Sequence, residues 1–159
     1  LVLGAGAAYA DTGFSCILSS SQEVPTNTST ASGSASFVLD VTQTSLSVNV
    51  QFINLIGTYS ASHLHSPGAI GVNAPVRFPF VCTTTNSGHN GTFSGFWNQV
   101  STPTLTSTDV SNLISHLIYV NIHSTSFPGG EIRGQIEPDQ SVPARSTTWG
   151  RLKTLYAGR

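Results

Sequence analysis

Along residues 45–54, SLSVNVQFIN, apolar and polar side chains alternate without a break. Leu46, Val48, Val50 and Phe52 fall on one face of an extended chain, and Ser45, Ser47, Asn49 and Gln51 on the other. A period of two belongs to a β-strand covered on one side only; a helix would scatter the same residues around its axis. Residues 33–41, GSASFVLDV, repeat the pattern. Further strand candidates are 13–19, 58–65, 76–82, 91–98, 117–123 and 131–137, separated by the turn-rich stretches SPGAIGVNAP, TTTNSGHNG and SFPGG. Short strands punctuated by turns predict an all-β fold, an antiparallel β-sandwich or jelly roll. One short helix is expected over 109–116, DVSNLISH, with Thr108 as N-cap and Asp109 at the positive end of its dipole. Val110, Leu113, Ile114 and Leu117 would face the core at helical spacing.

The chain of 159 residues is long enough for one such domain, over 13–137. An arm precedes it at 1–12, and a linker and basic amphipathic tail follow at 138–159. The arm ends in Ala8-Tyr9-Ala10 before Asp11, which matches a signal-peptidase site. The other reading makes the arm an extended strand, with Leu1, Val2, Leu3 and Tyr9 carried to the sheet edge of the same or a neighbouring molecule. Pairing with a neighbour is heterologous; it does not close, and it propagates into a filament. The tail holds four of the six basic residues, Arg145, Arg151, Lys153 and Arg159. Its Trp149, Leu152, Leu155 and Tyr156 line one side of a short turn, as a second assembly contact would require. A sorting signal and a solvated basic end are the alternatives.

Only 8% of the residues are charged, against roughly 25% in an ordinary soluble domain, and Ser and Thr stand in their place. Such a surface suits an extracellular protein that carries glycans or packs against copies of itself. It excludes nucleic acid as a partner, since no basic face is available. No apolar run approaches the roughly 20 residues of a membrane-spanning helix. Asn27-Thr28-Ser29 and Asn90-Gly91-Thr92 are glycosylation sequons, both in expected loops. Cys16 and Cys82 are expected to pair as a disulfide outside the cell, closing a long loop worth roughly 4 kcal/mol; the alternative is two buried free thiols.

Three stretches carry a family resemblance: SSSQEVPTNTSTASGSASFVLD at 19–40, HLHSPGAIGVNAPVRF at 63–78 and LIYVNIHSTSFPGGEIRGQI at 117–136. Together they resemble the CHRD domain, a module named from chordin, over about residues 15–136. The resemblance implies an all-β extracellular or cell-surface module with no enzymatic activity of its own. It says nothing of residues 1–12 or 138–159. By analogy with chordin it also suggests a binding module for protein ligands.

The same residues have a direct physical reading. On strands, His63 and His65 share a face, as do Tyr119, Asn121 and His123. Gly129-Gly130 supplies the positive φ angles of a hairpin turn, after which Glu131 and Arg133 fall on one side of the returning strand. His63, His65, Asn121, His123, Glu131 and Arg133 therefore converge into a polar cluster. One reading is a structural network, with Glu131 paired to Arg133 or a His and the imidazoles bonding backbone groups. The other is a Cu or Zn site on His63, His65 and His123, which resembles the His-x-His strand of copper–zinc superoxide dismutase. His89 and His116 sit in less regular surroundings. No Ser stands in a nucleophile elbow and no paired carboxylates are evident among seven acidic residues, so no catalysis is expected. The expectation is an extracellular sandwich that assembles with copies of itself through its N-terminal strand. The alternatives are a monomeric module that binds Cu or Zn through the His cluster and one that binds a protein ligand.

Overall fold

The computed structural model describes residues 11–139. The assembly contacts expected at Leu1, Val2, Leu3, Tyr9, Trp149, Leu152, Leu155 and Tyr156 lie outside the described residues. The chain runs β1 (Thr12–Ser19), β2 (Ser32–Leu39), β3 (Ser45–Ile53), β4 (Tyr59–His65), β5 (Val76–Phe80), β6 (Thr83–Thr85) and β7 (Asn90–Asn98). After helix α1 (Ser107–Ile114) come β8 (Tyr119–Ser124), β9 (Ile132–Gln135) and the two-residue β10 (Glu137–Pro138). All neighbours are antiparallel, in the order β5-β4-β8-β9-β1-β2-β3-β7-β6, with β10 on β1. The strands at the two ends of this path, β5 and β6, are joined by Val81 and Cys82 alone. The continuous sheet therefore curls on itself into a sandwich-like envelope.

The alternation predicted for 45–54 sets the inside of that envelope. Leu46, Val48, Val50 and Phe52 are buried, and the facing positions of β1 and β2 add Phe14, Leu18, Phe37 and Leu39. Trp97 on β7 is fully buried and stacks on Phe78, with ring centroids 5.1 Å apart. On the other half Leu64, Val120, Ile122 and Ile132 are wholly inside. Each such side chain contributes roughly 1.5–3 kcal/mol by leaving water.

Four details depart from the sequence reading. The helix starts earlier, and its cap is Thr106 rather than Thr108. Thr106 Oγ1 accepts from Asp109 N at 3.3 Å, while Asp109 Oδ2 accepts from Thr106 N at 2.8 Å, a closed capping box. Val110 and Leu113 are buried as expected, but Ile114 is half-exposed and Leu117 only half-buried, because the helix ends at Ile114 and the chain turns away through His116.

Cys16 and Cys82 are free thiols. Cys16 lies on β1, its Sγ 3.0 Å from where a Cβ on Gly134 would stand; Cys82 follows β5, its Sγ 3.6 Å from Ser62 Oγ. Strands β9, β8 and β4 lie between β1 and β5 in the sheet order, and the two sulfurs have different neighbours. Burial pushes the Cys16 thiol up to about 12 and raises that of Cys82.

The region expected to be a linker starts inside the sheet: Phe14 pairs with Pro138, and Asp139 N donates to Gly13 O. The edge strand β6 falls where a turn was expected.

Candidate metal centre

Strands β4, β8 and β9 turn their apolar residues inward, which places every second residue on the outer face. Register pairs His65 with Tyr119, His63 with Asn121, Asn121 with Arg133 and Tyr119 with Gln135. This outer face is not open to solvent. Arg133, 2% exposed, lies with its guanidinium carbon 3.4 Å from the Tyr119 ring centroid. It donates to Ala69 O at 3.2 Å and Val72 O at 3.0 Å. Gln135 Nε2 donates to Gly68 O at 3.0 Å and His116 O at 2.7 Å. These contacts draw the loop 66–75 across the polar face and bury it.

Under that cover His63, His65 and His123 each present a ring nitrogen, all within 4.8 Å of one another. His65 stacks on Tyr119 with ring centroids 4.8 Å apart and planes 3° from parallel. Its Nδ1 is 2.8 Å from Ala74 O, and His123 Nδ1 is 3.0 Å from Pro128 O. A carbonyl only accepts, so both Nδ1 atoms carry the proton and both Nε2 atoms are bare lone pairs. His63 Nδ1 faces His123 Nε2 at 3.0 Å and therefore donates to it. His65 Nε2 is buried with no hydrogen-bond partner among the described residues. An imidazole with Nδ1–H held by a carbonyl and Nε2 left free has the orientation and tautomer of a metal ligand.

The three rings are also held neutral. Burial, reinforced by the neighbouring His123 and His65, lowers His63 to about 4. Burial lowers His65 and His123 as well, against the opposing pull of their carbonyl hydrogen bonds. Neutral imidazole is the form that binds a metal.

The other expected members divide. Asn121 and Arg133 share this face, as the strand parity requires. Glu131 pairs with neither Arg133 nor a histidine. It precedes β9, after Gly130 at φ +133°, and its wholly buried carboxylate accepts from Ser29 Oγ and Ile56 N at 2.6 Å and from Ser124 Oγ. Of the two glycines expected to carry positive φ, Gly130 alone does.

Asn27 is committed too: its Nδ2 donates to Gly130 O at 3.2 Å and Glu131 O at 3.1 Å, so the amide nitrogen that a glycan would need is held by two backbone carbonyls. Asn90 opens β7, half-buried, and its Oδ1 accepts from Asn54 N at 2.9 Å. His89 donates from Nδ1 to Leu55 O at 2.6 Å, and His116 pairs with Glu137, both away from the cluster. Sequence reasoning missed the carbonyls of Ala74 and Pro128, the clamp made by Gln135, and Glu23. Glu23 stands in the motif Gln22-Glu23-Val24-Pro25 and is buried beside this face.

The CHRD domain model matches residues 14–136. The chain belongs to the CHRD-domain family. Its three resembling stretches surround the polar face: the Gln22-Glu23-Val24-Pro25 segment, the His-Leu-His strand with the loop that covers it, and the β8–β9 hairpin. CHRD domains are typically extracellular or secreted modules. No curated protein and no solved structure matches this CHRD chain significantly. No helix among the described residues is long and apolar enough to cross a membrane.

Proposed function

We propose that this CHRD module is a non-catalytic extracellular metal binder, taking one Zn or Cu ion on His63, His65 and His123. The observation that carries the reading is His65 Nε2: buried, unpartnered, and aimed away from an Nδ1–H that Ala74 O holds in place. A buried acceptor without a donor costs roughly 1–3 kcal/mol, and an ion at that nitrogen removes the cost. His123 offers its Nε2 in the same tautomer, and His63 adds Nδ1 once its proton moves to Nε2. Three imidazoles suit Zn and Cu, and they leave the fourth tetrahedral position to water or an outside ligand. The self-assembly reading rests on residues 1–10 and on the tail from Trp149 to Tyr156, outside those described, whereas the metal reading rests on residues that are described.

Titration of metal-free full-length protein with Co(II) tests the reading by the visible bands of a tetrahedral site, followed by displacement with Zn. One equivalent bound by the native chain and none by His65→Ala is the expected result. Elemental analysis that finds no stoichiometric Zn or Cu after loading, or undiminished uptake by His65→Ala, overturns it.

A further inference from the structure

The half of the sheet that carries no histidine has an outer face of its own. Strands β1, β2, β3 and β7 contain no acidic, basic or histidine residue. Register lines up Ser36, Asn49 and Ser94 in one rank across β2, β3 and β7, and Ser34, Gln51 and Thr92 in the next. These side chains line a trough of about 610 Å³, with Ile17, 68% exposed, at its β1 end. One step further along their strands, Val38 and Phe96 form an apolar border, 42% and 63% exposed. Neighbouring strands lie about 4.8 Å apart, so the trough runs about 14 Å from β1 to β7.

The polar groups of the trough hold one another in place. Gln51 Nε2 donates to Ser34 Oγ at 3.0 Å, Ser94 Oγ to Asn49 Oδ1 at 2.7 Å, and Asn49 Nδ2 to Ser47 Oγ at 3.3 Å. Each amide nitrogen keeps a second proton, and the hydroxyl and amide oxygens keep lone pairs for an outside partner. The face thus offers fixed donors and acceptors without a charge. Asp139 reaches only its border, where it accepts from Ser15 Oγ at 2.6 Å.

We propose that this trough binds an unbranched neutral polysaccharide lying across the strands. Its hydroxyls exchange hydrogen bonds with Ser36, Asn49 and Gln51, and one pyranose ring sets its C–H face on Phe96. A sugar hydroxyl is donor and acceptor at once, which matches hydroxyl and carboxamide partners. Charge selects the class: an anionic polysaccharide or a nucleic acid finds no cation to neutralise it. A protein partner fits less well, since its interface wants an apolar centre and a polar rim, and here the order is reversed. The proposal goes beyond the metal reading and does not depend on it, because β4 and β8 carry the three histidines. Neutral hydrogen bonds exchanged with water leave little net gain each, which places the affinity for a tetrasaccharide at about millimolar.

The test is NMR titration of the metal-free full chain with cellotetraose, mannotetraose and N-acetylchitotetraose, and with tetragalacturonate as the anionic counterpart. Saturable one-to-one binding of at least one neutral tetramer is expected, with shifts confined to amides of β1, β2, β3 and β7, and no response to tetragalacturonate. The neutral tetramer that binds identifies the sugar. Asn49→Ala combined with Gln51→Ala trims two exposed side chains, so the protein should fold and bind at least 10-fold more weakly. Ser36→Trp, an exposed change in the middle of the trough, should block the same binding. Concentration-dependent shifts of the same amides without sugar would assign the face to a second copy of the chain and overturn the proposal. Equal response to tetragalacturonate, undiminished binding by either variant, or no neutral tetramer bound at about 10 mM overturns it as well.

Discussion

A guanidinium at 2% exposure needs its charge solvated by the protein, and at Arg133 carbonyl and amide dipoles do it. Ala69 O, Val72 O, Asn73 Oδ1 and Gln135 Oε1 accept its protons while the Tyr119 ring lies under its plane. Those contacts fix the loop that carries Ala74, whose carbonyl sets the tautomer of His65. Lysine has neither the plane nor the fork. Arg133→Lys should therefore cost about 2–3 kcal/mol, seen as a lower urea midpoint, and should weaken Co(II) binding as His65 loses its orienting carbonyl. An unchanged midpoint would show that the clamp is not what holds the loop. At this scale the sequence was half legible. Strand parity placed His63, His65, Asn121, His123 and Arg133 on one face. Parity holds only within a strand, so it failed at Glu131, which Gly130 at φ +133° separates from β9. The carbonyls of Ala74 and Pro128 had no signal at all, because every residue has one.

At the scale of elements, α1 shows how little sequence separates a correct helix from a correct cap. Both Thr106 and Thr108 precede the apolar spacing, and only the three-residue offset between Thr106 and Asp109 closes the reciprocal box. The same carboxylate is held by Arg77, whose Nε and Nη2 donate to it at 2.6 and 2.7 Å. Burial pushes the Asp109 carboxyl up, but the hydrogen bonds from Arg77 and Thr106 outweigh it and leave it below its ordinary value. A carboxyl held low in the fold adds stability above its unfolded value of about 3.9, and that stability is lost as pH falls through the folded value. Thr106→Ala should cost about 1 kcal/mol by thermal melt at pH 7. Asp109→Asn should flatten the stability loss below pH 4 while leaving a less stable protein at neutral pH. The long alternating strands β2, β3 and β7 were legible because one covered face writes its period into the chain. Strand β6 was not: Thr83, Thr84 and Thr85 are all exposed at an edge, so no burial pattern marks them. Strand β10 is short and ends in proline, and reads as a linker until β1 lies beside it.

Over the whole molecule, one continuous sheet has been given two interiors, an apolar one inside the curl and a polar one under the 66–75 loop. The polar interior makes stability depend on pH in a calculable direction. Metal-free, the three imidazoles have folded values below 6.5, down to about 4 at His63. As pH falls through that window the unfolded chain takes up protons that the native state refuses, so stability drops. Glu23 has the opposite sign. Burial lifts it to about 7 against the pull of the Arg133 charge, so its contribution is full below about 4.5 and is lost as pH rises through 7. Between pH 6.5 and 4.5 the two effects oppose, and three groups outweigh one. Metal-free protein should therefore melt at falling temperature from pH 6.5 towards 4, and Glu23→Gln should melt with a steeper acid slope because the opposing group is gone. If the proposed site takes zinc on the neutral rings, zinc should raise the melting temperature at pH 7 by mass action, with the gain vanishing as protons compete near pH 4. Parallel acid slopes for the native chain and Glu23→Gln would show that Glu23 is solvated like a surface carboxyl. The sequence placed the histidines together but gave no sign that the loop over them would keep water out. That burial lowers all three imidazoles and keeps them neutral, the form the proposed metal site requires.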